Sequence, residues 1–284
     1  MNPIVIIIIA IVGTPIIGGL LRGIDRKLTA RMQSRIGPPL LQPFYDVIKL
    51  WAKEKKVIHN GQVAWAYAYL GFMITSIVVL ALGKDLLMML FIMAIGSICL
   101  VMGAFSVKSP YSHIGGNREL IQILAYEPIL FMVALAIFLR MGSFKMAYLV
   151  TLGSPLLFSL PLAFFALGIV LLIKMRKSPF DISLCHHAHQ EIVRGPVTEF
   201  SGKYLALVEL AEWYETIIIM GLMTFFWLNP IWAGILITLA AYFIVLVIDN
   251  ISARLTWYLL LSFSWTFGIG LVVLNMLGIY LLKK

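Results

Sequence analysis

The chain has 284 residues, is 61% hydrophobic, carries only 12% charged residues and has a formal net charge of +9. An ordinary soluble domain holds about a quarter charged residues, so this composition excludes one. No nucleic-acid partner is expected, because the positive charge is spread over loops between long apolar runs.

In chain order the apolar segments are about 3–21, 64–82, 86–107, 120–139, 155–173, 204–228, 231–248 and 258–282. Each can cross a hydrocarbon core roughly 30 Å thick. Open sheet edges are not tolerated there, so the expectation is an all-α integral membrane protein with eight transmembrane helices, a single domain over 1–284. The first segment has neither a positively charged start nor a small-residue cleavage site, and reads as a retained helix rather than a signal peptide. The loops 22–63, 108–119, 174–203 and 249–257 hold 17 of the 22 Lys and Arg. The positive-inside rule therefore predicts a multi-pass protein of the cell membrane with these four loops in the cytoplasm and both termini outside. Such a basic face attracts lipid headgroups or an acidic partner protein.

In the first loop, Leu41, Phe44, Val47, Ile48 and Trp51 recur at helical spacing after the Gly37-Pro38-Pro39 break. Asp46, Lys49, Lys53 and Glu54 fall largely on the other side, which predicts an amphipathic helix lying at the interface. The next basic loop leads through Asn117, a candidate N-cap, to Arg118 and Glu119 at the membrane boundary. Glu127 follows about two turns deeper, directly before Pro128. A proline inside a helix frees a backbone carbonyl and bends the segment, and an acid beside such a kink suits the wall of a hydrated cavity.

The loop 174–203 contains Cys185, His186, His187 and His189. These are zinc-ligand types, but zinc takes four tetrahedral ligands, usually as two close pairs separated by a longer loop. Five consecutive positions aim at most about two imidazoles at one ion, so a packed or partner-facing histidine cluster is expected and no metal site. The two cysteines, Cys99 and Cys185, are too few for an iron–sulfur cluster, and no Cys-x-x-Cys-His run offers haem attachment.

In the sixth apolar segment Glu209, Glu212 and Glu215 recur every third residue. They share an arc of about 120° along roughly 9 Å of helix. Each carboxylate at mid-membrane costs on the order of 2.5–3.5 kcal/mol, so the three face the protein interior. They form either a ladder that passes protons or a set of hydrogen-bonded acids bracing the bundle. Asp249 and Arg254, flanking the last basic turn, are expected to form a boundary ion pair.

Four runs then carry a resemblance: RMQSRIGPPLLQPFYDVIKLWAKE, GGNRELIQILAYEP, SPFD and EFSGKYLAL. In this order they resemble the membrane component shared by respiratory complex I and the energy-converting hydrogenases. The resemblance implies an anchor between a peripheral redox arm and an ion-pumping membrane arm. It places the family's intramembrane acids on Glu127, Glu212 and Glu215, with Glu209 beside the pattern. The docking loops then include Arg26, Gln33, Arg35, Asp46, Lys49, Arg118, Glu119, Asp181, Glu191 and Glu199, together with the three histidines.

Two departures sharpen the resemblance. Complex I members carry a glycine-spaced insert where Gly37-Pro38-Pro39 here runs straight on to Gln42-Pro43. They also carry a Glu-x-Glu-x-Glu run where this chain has His187, His189 and Glu191. The latter pattern is similar to that of group 4 membrane-bound [NiFe]-hydrogenases. The implied chain has no redox centre, with [NiFe] and iron–sulfur clusters held by partners. Those partners are hydrogenase-like large and small subunits and an iron–sulfur subunit on the cytoplasmic face, with antiporter-like subunits in the membrane. A ferredoxin-linked complex moving H⁺ or Na⁺ is the first expectation. A quinone-reducing complex I, a sulfane sulfur reductase and a formate hydrogenlyase are alternatives. A stand-alone secondary transporter ranks below them, since no paired repeat is visible.

Overall fold

The computed structural model describes all residues except Met1, Lys55, Ile58, 152–154, 184–193 and 283–284. Eleven α-helices are named here in chain order: α1 Pro3–Met32, α2 Gln42–Ala52, α3 Asn60–Ala81, α4 Leu86–Phe105, α5 Pro110–Met141, α6 Leu156–Ser159, α7 Pro161–Lys174, α8 Gly202–Thr224, α9 Ile231–Ile251, α10 Trp257–Phe263 and α11 Gly270–Leu282. Ser264–Ile269 is a π-helical stretch that joins α10 to α11. Among the described residues the only extended pairing is a single bridge between Asp85 and Lys145.

Among the described residues the protein is all-α, and six helices there are long and apolar enough to cross a membrane: α1, α3, α4, α5, α9 and the joined α10–α11. The other two predicted spans differ for physical reasons. α8 has the length, at 23 residues, but carries Glu209, Glu212 and Glu215. The fifth span is broken at Leu160, whose backbone (φ −128°, ψ 48°) leaves the helix between α6 and the 14-residue α7. The first helix also continues to Met32, past the boundary predicted near residue 21.

α8 is the hub, packed on α1, α2, α3, α7 and α9. α1 approaches it through Gly18 and Gly19, where a Cβ on Gly18 would sit 2.8 Å from that of Trp213. α2 lies across this seam, with the Phe44 ring edge-on to Trp213 at 5.4 Å. Its outward stripe, Leu41, Tyr45, Ile48 and Trp51, is exposed and apolar. α2 thus has two apolar faces, one docked on the bundle and one available to the bilayer interface.

Two irregularities within the apolar region are repaired by side chains. At the break before α7, Asn275 Oδ1 accepts from the Leu162 and Ala163 amides at 2.8 and 3.2 Å, and its Nδ2 donates to the Ser159 carbonyl at 2.9 Å. Pro128 deprives the Leu124 carbonyl of its helical donor, and the Trp265 indole N–H supplies one at 3.0 Å. Unpaired backbone groups are expensive in lipid, so these two side chains make the broken helices tenable.

Candidate functional site

The site is built on five consecutive residues, Lys174-Met175-Arg176-Lys177-Ser178, where α7 ends. Arg176 has φ 50°, in the left-handed region that non-glycine residues seldom adopt. This turn sends three cations in three directions, and each meets acids from other helices.

Lys174 points back into the bundle, where its ammonium pairs with Glu215 of α8 and contacts Ser97 Oγ at 2.9 Å. It also lies over the Tyr126 ring, 4.0 Å from the centroid. Ser97 and Tyr69 donate to the two Glu215 oxygens at 3.1 and 3.2 Å. Both partners are 5% exposed, making this the most enclosed charge pair of the group.

Arg176 is the centre. Its Nε and Nη2 grip Glu119 of α5 at 3.3 and 2.9 Å, and its Nη1 donates to Glu212 of α8 at 2.5 Å. Burial alone would depress the guanidinium, but the charges of Glu119 and Glu212 outweigh it and hold Arg176 well above its ordinary value. Ser183 donates to Glu119 at 2.5 Å and lies 2.6 Å from Gln122 Oε1, while Gln122 Nε2 donates to the Phe180 carbonyl at 2.6 Å. The SPFD turn is thereby tied to α5. Lys177 turns the other way, to Asp25 of α1 at 2.8 Å and Asp249 of α9 at 2.9 Å.

The three glutamates of α8 therefore each face a different cation. Glu209 meets Arg194 at 3.5 Å near the surface, with Arg194 51% exposed; Glu212 meets Arg176; Glu215 meets Lys174. Exposure falls step by step along this ladder. Its open end adjoins a cavity of about 450 Å³ whose wall includes Arg22, Asp25, Arg35, Arg176, Lys177 and Arg194. A smaller cavity of about 150 Å³ between α2 and α8 exposes Arg26, Asp46, Lys49 and Glu209. Glu127, partly exposed on α5, has a buried Oε1 with no hydrogen-bond donor among the described residues.

The predicted docking residues divide. Arg26 and Asp46 pair at 2.7 Å, Gln33 donates to Asn250 at 3.3 Å, and Arg35 and Lys49 line the cavities. Partial burial pushes Asp46 up, but hydrogen bonds from Arg26 and Gln42 and the charges of Arg26 and Lys49 bring it below its ordinary value. Glu119 and Asp181 are buried, at 6% and 4% exposure. Arg118 reaches the Ile182 carbonyl at 3.4 Å, and Glu199 is half-buried. His186, His187, His189 and Glu191 lie outside the described residues. Asp249 and Arg254, predicted to pair, have separate partners: Asp249 takes Lys177 and the Ser178 amide, whereas Arg254 donates to the Asp181 carbonyl at 2.5 Å. The sequence reading missed Lys174, Arg176 and Lys177 as site residues. Their signal was three cations in four positions directly after an apolar run.

Comparisons with known proteins follow the same lines. A family model described as NADH dehydrogenase matches residues 4–280. Hydrogenase-4 component C of Escherichia coli is 32% identical over 212 residues, which is 68% of this chain and 64% of that protein. The second H-type subunit of the NADH-quinone oxidoreductase of Cereibacter sphaeroides is 29% identical over 307 residues, covering 96% of this chain and 93% of its own length. Among solved structures, a chain of the membrane-bound sulfane sulfur reductase, an archaeal respiratory membrane complex, shares the fold with a TM-score of 0.88. It is 24% identical, with 98% of this chain and 99% of that chain covered. The chain belongs to the NADH dehydrogenase family, and its relatives include both an H-type subunit of an NADH-quinone oxidoreductase and a hydrogenase component.

Proposed function

We propose that this chain is the membrane anchor subunit of a ferredoxin-linked, hydrogenase-type respiratory complex. It joins the peripheral redox module to the ion-pumping membrane arm and couples electron transfer to H⁺ or Na⁺ translocation. The [NiFe] and iron–sulfur centres belong to partner subunits docked on the cytoplasmic face, and antiporter-like subunits flank this chain in the membrane. In this reading α8 and the α6–α7 pair also cross the bilayer, giving eight spans with both termini outside.

One observation carries the proposal: the ladder Glu209, Glu212, Glu215, each acid with its own cation, runs inward from an open charged cavity. A redox event at the docking face that changes charge near Arg194 or Lys177 perturbs the next pair, and so the next. Paired charges in a low-dielectric interior respond to one another strongly, which gives the ladder its reach. Replacing Glu212 with Gln removes one acid partner of Arg176. The expected result is that electron transfer to an artificial acceptor continues while ion translocation into vesicles is abolished. Pumping at the wild-type ratio overturns the reading.

The likeness over 96% of the chain to a quinone oxidoreductase component supports a second reading, in which a quinone is the acceptor. Nickel in the purified complex supports the first reading. Photolabelling of residues 22–63 by a quinone analogue supports the second.

A further inference from the structure

At the end of the bundle opposite the ladder, α5, α6, α7 and α11 leave a cleft of about 590 Å³. It lies where the fifth apolar segment breaks at Leu160. Its apolar wall includes Phe158 of α6, Leu162 of α7, and Leu274 and Ile279 of α11. The polar residues there, Ser159 and Asn275, are already committed. Ser159 Oγ donates to the Leu156 carbonyl, and both amide atoms of Asn275 serve backbone groups at the break. Among the described residues one charged side chain lines the cleft, Arg140 in the last turn of α5. It is exposed and has no ion pair or hydrogen bond among those residues. The nearby helix end offsets only about half a charge. The one described acid at this end of the bundle is Asp85, whose Oδ1 is occupied by the Leu87 and Met88 amides. Arg140 stands at the far end of α5 from Glu119, roughly 30 Å along the axis at about 1.5 Å per residue. That is about one hydrocarbon thickness, which puts the guanidinium at headgroup level. Exposed aromatic side chains stand beside it, as at a bilayer interface: Phe158, packed on Trp227 at 5.3 Å, and Tyr280.

We propose that this cleft is a site for an anionic phospholipid, with Arg140 holding the headgroup phosphate and one acyl chain lying along Phe158, Leu162, Leu274 and Ile279. The chemistry of the wall selects this occupant. One cation at the rim of an apolar trough matches an amphiphile with a single anionic head. A free anion leaves the trough unfilled, and a plain hydrocarbon leaves the guanidinium without a counter-charge. The planar fork of an arginine can make two parallel hydrogen bonds to one phosphate, which fixes the head at the rim. Lipid tails are as apolar as the wall, so moving a chain from the bilayer into the cleft gains no hydrophobic energy. Residence therefore rests on the headgroup contact, and the site distinguishes lipids by net charge. The chain itself packs against the broken span, where α6 and α7 leave space that the protein does not fill. Gly278 lies on that space: a Cβ there would meet nothing within 4 Å. This inference is independent of the coupling role and of the electron acceptor.

The test uses the intact complex in phosphatidylcholine nanodiscs doped with a phospholipid probe that carries a diazirine on one acyl chain. The probe is phosphatidylglycerol in one preparation and phosphatidylcholine in the other, and labelled peptides are mapped by mass spectrometry. Peptides from 155–162 and 270–282 should be labelled, the phosphatidylglycerol probe exceeding the other about fivefold, the ratio expected of one arginine at headgroup level. Arg140→Gln should bring that ratio close to one, and Arg140→Lys should retain most of it. Gly278→Leu, which extends a side chain into the open space, should remove labelling by both probes. Equal labelling by the two probes in the wild type overturns the proposal, as does an unchanged ratio in Arg140→Gln or unchanged labelling in Gly278→Leu. Displacement of the phosphatidylglycerol probe by inorganic phosphate points to a free-anion site and overturns it too. So does a cleft that takes no lipid label because a partner's helix covers it.

Discussion

Arg176→Met removes the centre of the site and leaves Glu119 and Glu212 facing a methyl group. The guanidinium makes three bonds to these acids with its side chain only 5% exposed. Breaking a buried pair by deleting one partner costs about 3–5 kcal/mol. An independent ceiling follows from protonation, since an abandoned carboxylate can take up a proton instead of remaining ionised. Drawing that proton at pH 7 onto an acid with an ordinary value near 4.3 costs about 3.7 kcal/mol, at 1.36 kcal/mol per pH unit. Two acids set the ceiling near 7 kcal/mol, so the 3–5 kcal/mol range lies within it. At pH 5 the same protonation costs only about 1 kcal/mol per acid. The destabilisation should therefore shrink to about 2 kcal/mol or less on acidification, and adding Glu119→Gln and Glu212→Gln should restore most of it at pH 7. Hydrogen exchange of α5 and α8 peptides across a denaturant series, resolved by mass so that other subunits do not contribute, measures all three values. A variant within about 1 kcal/mol of wild type at pH 7, or a cost that stays constant down to pH 5, refutes the argument that Arg176 compensates two buried charges.

Three further predictions concern the supports of the site. Asp46 is held below its ordinary value in the folded state, so its contribution is fully present above about pH 4 and is lost as pH falls through that lowered value. Exchange protection of α2 should fall in acid for the wild type, and in Asp46→Asn it should be lower at neutral pH and insensitive to acid. Asn275→Ala orphans the Leu162 and Ala163 amides, and should cost about 1–2 kcal/mol, with faster exchange at the start of α7. Trp265→Phe should cost about 1 kcal/mol through the lost Leu124 bond, and Pro128→Ala should cancel that cost by returning the helical N–H, a coupling that a double-mutant cycle measures.

Much of the architecture was legible because bilayer physics writes it into composition. Length and hydropathy marked the apolar segments, and the 41–51 periodicity located α2 to within a residue of its observed start. The glutamate spacing put Glu209, Glu212 and Glu215 on one arc, and the structure keeps them there. What hydropathy could not show was the length of α1 beyond the apolar stretch, since a helix continues into a charged segment without any hydropathic mark. Nor could it show the break at Leu160, which depends on an asparagine 115 positions away in sequence supplying the missing caps.

The cations were hidden for a different reason. Reading by charge and position assigns Lys174, Arg176 and Lys177 to a cytoplasmic loop, because that is where the apolar run stops. A lysine or arginine at such a boundary ordinarily reaches outward to headgroups. Here the left-handed turn at Arg176 reverses the direction, and acids on α1, α5, α8 and α9 have already been desolvated by packing, so the inward pairing wins. The expected Asp249–Arg254 pair fails for the same reason: Lys177 reaches Asp249 from inside. Bundle interior and polar loop are therefore not two separate regions in this chain. One stretch of backbone carries Lys174 at the deepest charge pair and, nine residues on, Ser183 bonded to Glu119, so covalent chain and ion pairs together join the SPFD turn to the ladder.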